Sequence, residues 1–199
     1  MVCMSKIVVS ANGSKKEAII KKAAGLFRQK GFAGTSMREL AESIGVEAPS
    51  LYNHIGSKIE LLQNICFKVA NEFMLHLHET EQQSNSTIGK LKQIIQFHIQ
   101  MMVNEYDEVF VANHEWKQLK DPYLTDFLLQ RKAYEKKLID IVKEGIKTNT
   151  IKNIHPQIAV LTILSAVRGL EFWQGQKNQM EVLELEKNMI DHLLNGLVK

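Results

Sequence analysis

The chain has 199 residues, of which 45% are hydrophobic and 24% are charged, and its formal net charge at pH 7 is +3. This composition is typical of a globular protein and argues against intrinsic disorder. The longest apolar run, Ile158 to Val167, is about half as long as a membrane-spanning helix, and the N-terminus lacks the apolar core of a secretory signal peptide. The two cysteines, Cys3 and Cys66, match no disulfide or metal-site spacing. We therefore expect a cytoplasmic protein with no membrane partner and no metal.

The positive charge is concentrated near the N-terminus. Residues 1–60 contain nine Lys and Arg against five Asp and Glu, whereas residues 61–199 contain sixteen against seventeen. Such an asymmetry favours a polyanionic partner for the N-terminal part, although solvated lysines on an ordinary surface give the same count.

The first part of the chain is predicted to hold four helices. Three of them begin at a Ser-x-x-Glu capping box, in which the serine hydroxyl and the glutamate carboxylate accept hydrogen bonds from backbone N–H groups that the helix leaves open. The first two helices are predicted to end at Gly31 and Gly45, because glycine readily adopts the left-handed conformation that terminates a helix. The capping pairs are Ser14 with Glu17, Ser36 with Glu39, and Ser57 with Glu60.

Apolar residues at helical spacing predict an all-α fold of about nine helices, and no stretch alternates as an exposed β-hairpin would. After the first helix, the next three are expected at Met37 to Ile44, around Ser50 to His54, and from near Ile59 toward Gln82. Five more are expected at about Ile88 to Asn104, Glu108 to Leu119, Pro122 to Thr148, Pro156 to Gln174 and Met180 to Val198.

The stretch GVEAPSLYNHIGSK, residues 45–58, has the features of a helix-turn-helix. Two short helices joined by a tight turn and braced by a longer one place the second short helix in the major groove of DNA. Leu51 is expected to pack inward, which leaves Pro49, Ser50, Tyr52, Asn53 and His54 on the outer surface. Alternatively, these side chains belong to an ordinary helical surface, because the same shape occurs in proteins that do not touch DNA.

Residues 31–58, GFAGTSMRELAESIGVEAPSLYNHIGSK, resemble the DNA-binding region of the TetR family of bacterial transcriptional regulators. The first helix ends in LFRQKGF, as is usual in that family. One departure is Ile55, where the family commonly has Phe. The shared elements are Gly31-Phe32, Thr35-Ser36, Leu40-Ala41, Gly45-Val46, Leu51-Tyr52, His54, and Lys58 shortly before ELL.

The resemblance implies a DNA-binding domain over residues 1–58, ordered from about residue 14, and a helical effector-binding and dimerisation domain over residues 59–199. It implies phosphate contacts from Thr35, Ser50, Tyr52, His54 and Lys58, and places Arg38, Ala48, Pro49 and Asn53 nearest the base edges. An exposed arginine can bind guanine in bidentate fashion, and asparagine can pair with adenine. The whole set expected at the DNA is Thr35, Ser36, Arg38, Glu47, Ala48, Pro49, Ser50, Tyr52, Asn53, His54 and Lys58.

The last two predicted helices carry more apolar surface than the core of one chain can cover. Pairing with the same helices of a second copy would bury it in a four-helix bundle, and a two-fold axis would also bring two recognition helices to successive major grooves. The alternative is that both helices are internal to one subunit. The expected interface residues are Leu161, Leu164, Val167, Leu170, Trp173, Leu185, Met189, Leu193 and Leu197.

An effector pocket is predicted among the fourth to seventh helices, where aromatic residues and methionines would form apolar walls with few polar anchors. Each of these residues taken singly also fits an ordinary core. The expected lining is Phe67, Met74, Phe97, Met101, Met102, Phe110, His114, Phe127, Arg131 and Tyr134. The last third loosely resembles family members that sense fatty-acyl or sterol-derived CoA thioesters.

The sequence lacks the motifs of common enzymes. His76 and His78 form no His-Glu-x-x-His arrangement, and no glycine-rich phosphate loop or nucleophile elbow is present. We therefore expect no catalysis and no cofactor. The expected function is a dimeric repressor that binds a palindromic operator and is released by a small lipophilic effector. The alternatives are a TetR-like activator and a helical small-molecule-binding protein without an operator.

Overall fold

The computed structural model describes residues 11–83, 86–173 and 181–197, and their side chains from residue 15 onward. Within these ranges the protein has nine α-helices and no β-strand, which confirms the predicted all-α class. No helix in them is long and apolar enough to cross a membrane. The helices are α1 (Ala11–Gly34), α2 (Met37–Ile44), α3 (Ala48–Tyr52), α4 (Lys58–Gln82), α5 (Thr87–Asn104), α6 (Tyr106–His114), α7 (Tyr123–Lys147), α8 (Pro156–Arg168) and α9 (Val182–Asn195).

Several predicted helix ends were wrong. The third helix ends at Tyr52, so Asn53 and His54 follow it, and short 3₁₀ turns at Trp116–Gln118 and Gly169–Glu171 replace the predicted ends of the sixth and eighth helices. The predicted ends Gln174, Met180 and Val198, like Cys3, lie outside the described residues.

Two of the three capping serines occupy the N-cap position. Ser36 forms the complete box with Glu39. The Ser57 hydroxyl accepts from the Glu60 N–H, while the Glu60 carboxylate accepts from the N–H of Gly56 at 2.8 Å rather than from Ser57. The prediction for Ser14 was wrong, because α1 begins at Ala11 and Ser14 lies inside it.

Helices α1 to α3 and the start of α4 form the head of the molecule around one apolar core. Leu51 of α3 is fully buried there, as predicted. Ile55 is buried as well, so the isoleucine occupies the core although the family commonly has Phe at this position. The other buried side chains of the head core are Ala23, Ala24, Phe27, Leu40, Ala41, Leu61 and Leu62.

Two glycines with positive φ shape the head. Gly31 interrupts α1 with φ 75° and ψ 158°, and Gly45 ends α2 in the left-handed conformation with φ 77° and ψ 31°. The Gly45 N–H caps α2 by bonding to Ala41 O and Glu42 O. This sharp turn sets the direction in which α3 leaves α2.

Helix α6 packs against both α1 and α4 and so joins the head to the helical body. α1 and α6 lie close together at Gly25, where an added Cβ would be 3.1 Å from Asp107 Oδ2. Arg28 Nε donates to Asp107 Oδ1, and the Arg28 guanidinium lies 5.4 Å from the centre of the Tyr106 ring. Lys21 Nζ lies 3.7 Å from Glu105 Oε2. Charged contacts thus hold the first turn of α6 on α1.

A buried carboxylate lies beside this junction. Glu108 of α6 is 1% exposed, and its Oε1 atom has no hydrogen-bond partner among the described residues. Lys68 Nζ is 3.7 Å from that oxygen, but the same ammonium also faces Glu105 at 3.5 Å and Glu72 at 3.9 Å. Burial raises the pKa of Glu108, Lys68 lowers it, and Glu105 raises it further. The net direction is upward because the effect of burial exceeds the lowering effects of a backbone hydrogen bond and of Lys68.

We expect Gly45→Ala to lower the free energy of unfolding by about 1 to 2 kcal/mol, because an L-residue is strained at its positive φ. Gly169→Ala is a matched control: neither glycine has an atom within 4 Å of an added Cβ, but Gly169 has a φ of −57°. Urea unfolding of both variants checks this. Equal stability losses would contradict the assigned backbone strain.

We expect Glu108→Gln to make the protein more stable at pH 8, by on the order of 1 kcal/mol, since an amide avoids burying a carboxylate that shares its ammonium with Glu72 and Glu105. When the pKa of a carboxyl is raised in the folded state, the protein loses stability as the pH rises from the pKa of the unfolded chain, 4.5, through the pKa of the folded protein. The variant should therefore lose less stability than the native protein between pH 5 and pH 8 in urea unfolding. Glu79→Gln, an exposed change on α4, is the control. An unchanged pH dependence would contradict the assignment.

Candidate functional site

The outer surface of α3 and the residues flanking it carry most of the side chains predicted to contact DNA. Buried Leu51 fixes the helix to the head, and Tyr52 beside it is 51% exposed. Ala48 and His54 are half-buried, with Ala48 against the core. The other predicted residues that are exposed are Ser36, Arg38, Glu47, Pro49, Ser50 and Asn53.

Arg38 extends from α2 with its side chain largely in solvent. Its Nε donates to Glu42 Oε1 at 3.0 Å, one turn further along the helix. Nearby, Lys30 Nζ donates to Glu39 at 2.8 Å, and this bond, with those from the Ser36 N–H and hydroxyl, lowers the pKa of Glu39 to about 2. Such exposed pairs are weak, so Arg38 can exchange Glu42 for another acceptor at little cost.

Thr35 and Lys58 have structural roles that the sequence analysis did not predict. Thr35 is buried, and its hydroxyl donates to Gly31 O at 3.0 Å. Lys58 Nζ donates to Phe32 O at 2.9 Å and Thr35 O at 2.8 Å, and it lies 4.5 Å from the centre of the Phe32 ring. Lys58 thereby ties the start of α4 to the turn between α1 and α2. One of its three N–H donors remains for another acceptor.

The body contains a cavity of about 130 Å³ enclosed by α4 to α8. Four of the ten residues predicted for the pocket line it: Met102, Phe127, Arg131 and Tyr134. The lining residues that were not predicted are Val69, Ala70, Phe73, His98, Val109, Ala112, Asn113, Gln130, Glu135, Leu164, Val167 and Arg168. Half of these are alanine or aliphatic residues, so helical spacing does not distinguish them from ordinary core.

The other six predicted pocket residues lie outside the cavity lining. Phe67 packs edge-on against Phe127, with ring centres 5.9 Å apart. Phe97 stacks on His76 at 4.0 Å, and together with Met101 it lines a surface groove between α4 and α5. The remaining three are Met74, which is half-buried on α4, Phe110, which stacks on His114, and His114, whose Nε2 is 2.8 Å from Glu171 Oε2.

A buried polar pair lines the cavity. His98 Nε2 lies 2.8 Å from Tyr134 Oη, and the His98 ring stacks on Phe73 with ring centres 4.3 Å apart. Burial, with smaller effects from Arg168 and His76, lowers the pKa of His98 to about 3. Burial also raises the pKa of Tyr134 above its ordinary value. Both side chains are therefore uncharged at neutral pH.

Two arginines also line the cavity. The Arg131 guanidinium lies 5.5 Å from the ring centre of Trp116 and 5.7 Å from that of Phe127. Burial lowers the pKa of Arg131, and Arg168 lowers it too, but a guanidinium stays charged at neutral pH. Arg168 was not predicted, although it follows Leu164, which also lines the cavity, by one helical turn.

The exposed apolar surface of α8 and α9 differs from the predicted dimer interface. Val167, Leu170, Leu185 and Leu197 are buried within the chain itself, so these four predicted interface residues do not lie on the exposed surface of the protomer. Leu164 lines the cavity, and Trp173, Met189 and Leu193 are half-buried. The exposed apolar residues are Leu161, which was predicted, and Ile158, Phe172, Val182 and Leu183, which were not.

Two family models match the chain. Residues 84–197 match the model described as the tetracyclin repressor-like C-terminal domain, and residues 19–65 match that of the bacterial regulatory proteins of the tetR family. The first model alone covers more than half of the chain, and the second covers the helix-turn-helix.

Individual proteins agree with this match. The chain is 26% identical over 148 residues to the HTH-type transcriptional repressor KstR2 of Mycolicibacterium smegmatis, which covers 72% of this chain and 70% of the relative. The fold of this chain is similar to that of the ketosteroid transcriptional regulator KstR2 of Mycobacterium tuberculosis, with a TM-score of 0.86 and 16% identity over 93% of this chain and 95% of that one. It is also similar to AibR in complex with isovaleryl coenzyme A and operator DNA, with a TM-score of 0.79 and 21% identity over 89% and 97%. The chain belongs to the TetR family of bacterial transcriptional regulators.

Proposed function

We propose that the protein is a ligand-responsive repressor that binds a palindromic operator as a homodimer in the cytoplasm and releases it when a small lipophilic effector enters the cavity. The observation that carries the proposal is the outer surface of α3. Buried Leu51 anchors that short helix, while Pro49, Ser50, Tyr52 and Asn53 are exposed beside it.

The proposed DNA contacts divide by chemistry. Ser50, Tyr52 and His54 offer hydroxyl and ring N–H donors suited to phosphate oxygens, and Lys58 offers its remaining N–H. Arg38 and Asn53 offer the side-chain types that read guanine and adenine in the major groove. We leave the Thr35 side chain out of this set, because its hydroxyl is buried and donates to Gly31 O.

The proposed dimer interface is the exposed apolar stripe on α8, the turn after it and the start of α9. Ile158 and Leu161 are exposed on α8, Phe172 after the turn that follows α8 is 80% exposed, and Leu183 on α9 is 77% exposed. Large apolar side chains of this kind favour burial against a second copy. A two-fold axis would then present two α3 helices to successive major grooves, about 34 Å apart.

The proposed coupling runs through α6. Val109, Ala112 and Asn113 form one wall of the cavity, while Asp107 in the first turn of the same helix bonds to Arg28 of α1. An effector that displaces α6 would shift α1 and the head that it carries. The effector favours release only to the extent that it binds the displaced arrangement more tightly.

The proposed effector is amphiphilic, such as a fatty-acyl or sterol-type CoA thioester. The cavity combines apolar walls with the two arginines Arg131 and Arg168. The related KstR2 is named as a ketosteroid regulator, and AibR, which shares the fold, was solved with isovaleryl coenzyme A. The alternatives are an activator with the same DNA contacts and a ligand-binding protein without an operator.

DNA selection from genomic fragments by the purified protein tests the proposal, and we expect a palindromic sequence to be enriched. Tyr52→Ala should weaken binding to every enriched fragment by about 10- to 150-fold, the loss of one hydrogen bond to a charged group, whereas Arg38→Ala should relax the preference at one base pair. Tyr123→Ala, which removes a 44% exposed tyrosine from α7, is the matched control.

If no palindrome is enriched, or if Tyr52→Ala and Arg38→Ala bind DNA as the native protein does, the operator-binding proposal is wrong. Enrichment of a palindrome upstream of genes whose transcription falls when the protein is deleted would instead favour the activator.

A further inference from the structure

From the volume and lining of the cavity we infer that the effector carries a short acyl group of about four to six carbons, with an anionic group held near Arg131 and Arg168. This inference rests on the proposed function and narrows its effector from fatty-acyl or sterol-type compounds to short acyl compounds.

The first argument is size. The cavity encloses about 130 Å³, whereas sites for drug-sized ligands enclose about 300 to 1,000 Å³. An engineered apolar cavity of about 150 Å³ in another protein takes up benzene, which has six carbons. By that measure, five or six carbons fill the space available here, and the four fused rings of a sterol do not fit.

The second argument is the rigidity of the walls. The apolar lining comes from five helices, and Val69, Met102, Val109, Phe127 and Val167 among these residues are almost fully buried. Close-packed interiors resist expansion, because each added methylene group forces side chains out of their preferred rotamers. A long or polycyclic group would need several of these side chains to move together.

The third argument is the polar side of the lining. Arg131 and Arg168 place two positive charges at the cavity, against the single carboxylate of Glu135. Arg168 and Glu135 are exposed, so this side of the cavity reaches solvent. A bulky anionic group can therefore stay outside while the acyl group enters.

The His98–Tyr134 pair can bind the carbonyl oxygen of the effector, which lies between its acyl chain and its anionic group. When the proton of the neutral imidazole is on Nε2, His98 donates to Tyr134 Oη, and the tyrosine hydroxyl hydrogen is free for a ligand oxygen. The shared ligand chemistry is thus a short acyl carbonyl with a nearby anion. The anion is either the carboxylate of the free acid or the phosphates of a thioester carrier.

Isothermal titration of the purified full-length protein tests this inference with five probes: isovaleryl, palmitoyl and choloyl coenzyme A, free coenzyme A, and isovalerate. We expect isovaleryl coenzyme A or isovalerate to bind at least about tenfold more tightly than the palmitoyl and choloyl thioesters and free coenzyme A. Tighter binding of the isovaleryl thioester than of isovalerate identifies phosphates as the anion, and the reverse order identifies the carboxylate. Tighter binding of palmitoyl or choloyl coenzyme A, or no binding by either short probe, overturns the inference.

Variants separate the two halves of the site. Arg168→Gln, at an exposed side chain, should weaken binding of the better short probe about tenfold, as for loss of a charge-assisted hydrogen bond. Arg168→Lys should restore part of the loss, and Lys136→Gln, an exposed change on α7 outside the lining, should have no effect.

Leu164→Ala should enlarge the cavity and shift the preference toward octanoyl coenzyme A. An Arg168→Gln variant that binds as the native protein does, or an unchanged chain-length preference in Leu164→Ala, counts against the assignment.

The DNA selection separates this inference from the proposed function. An enriched palindrome without binding of any short probe leaves the repressor standing and removes this effector. Tight binding of a short probe without any enriched DNA keeps the ligand class and removes the repressor.

Discussion

The docking of α6 on α1 is the contact on which the arrangement of head and body depends. Gly25 lets the helices approach until Asp107 lies against the backbone of α1, and Arg28 bonds to that carboxylate. A Cβ at Gly25 would lie 3.1 Å from Asp107 Oδ2, so the Asp107 side chain would have to move. Loss of the Arg28–Asp107 pair would remove one charged contact between the two helices and leave that of Lys21 with Glu105. Because α6 also supplies a wall of the cavity, a change in its position alters both the cavity and the contact with α1.

The chemistry around this helix is organised by charge placement. Uncharged His98 and Tyr134 line the cavity, as do half-buried Arg131 and exposed Arg168. At the head junction the balance is reversed, since Lys68 faces Glu72, Glu105 and Glu108, and Glu108 Oε1 has no hydrogen-bond partner among the described residues. A buried carboxylate that shares one ammonium with two others costs stability, so a junction of this kind holds its helices less firmly than an apolar core would. This property suits the proposed coupling, in which the contact shifts when an effector binds.

Local signals in the sequence predicted most of the fold and part of the site. The Ser36–Glu39 box and Gly45 define α2, since each acts within one helical turn, and Leu51 was correctly placed in the core. Contacts between distant residues left no such signal: Lys58 bonds to carbonyls 23 and 26 residues earlier in the chain. The interface residues predicted on α8 include buried Val167 as well as exposed Leu161, because α8 is apolar on both faces and periodicity cannot tell the two apart. The predicted list of cavity-lining residues was incomplete for a related reason, since small aliphatic side chains line cavities and fill cores alike.

The most direct test of the route through α6 is the Kd for the selected operator, measured with and without isovaleryl coenzyme A, in the native protein and in Asp107→Asn. Typical allosteric coupling corresponds to a change in affinity of about 5- to 150-fold. We predict a weakening in this range for the native protein and a clearly smaller one for Asp107→Asn, whose neutral side chain no longer pairs with the charge of Arg28. Equal weakening in the two proteins would contradict the claim that α6 carries the signal from the cavity to the head.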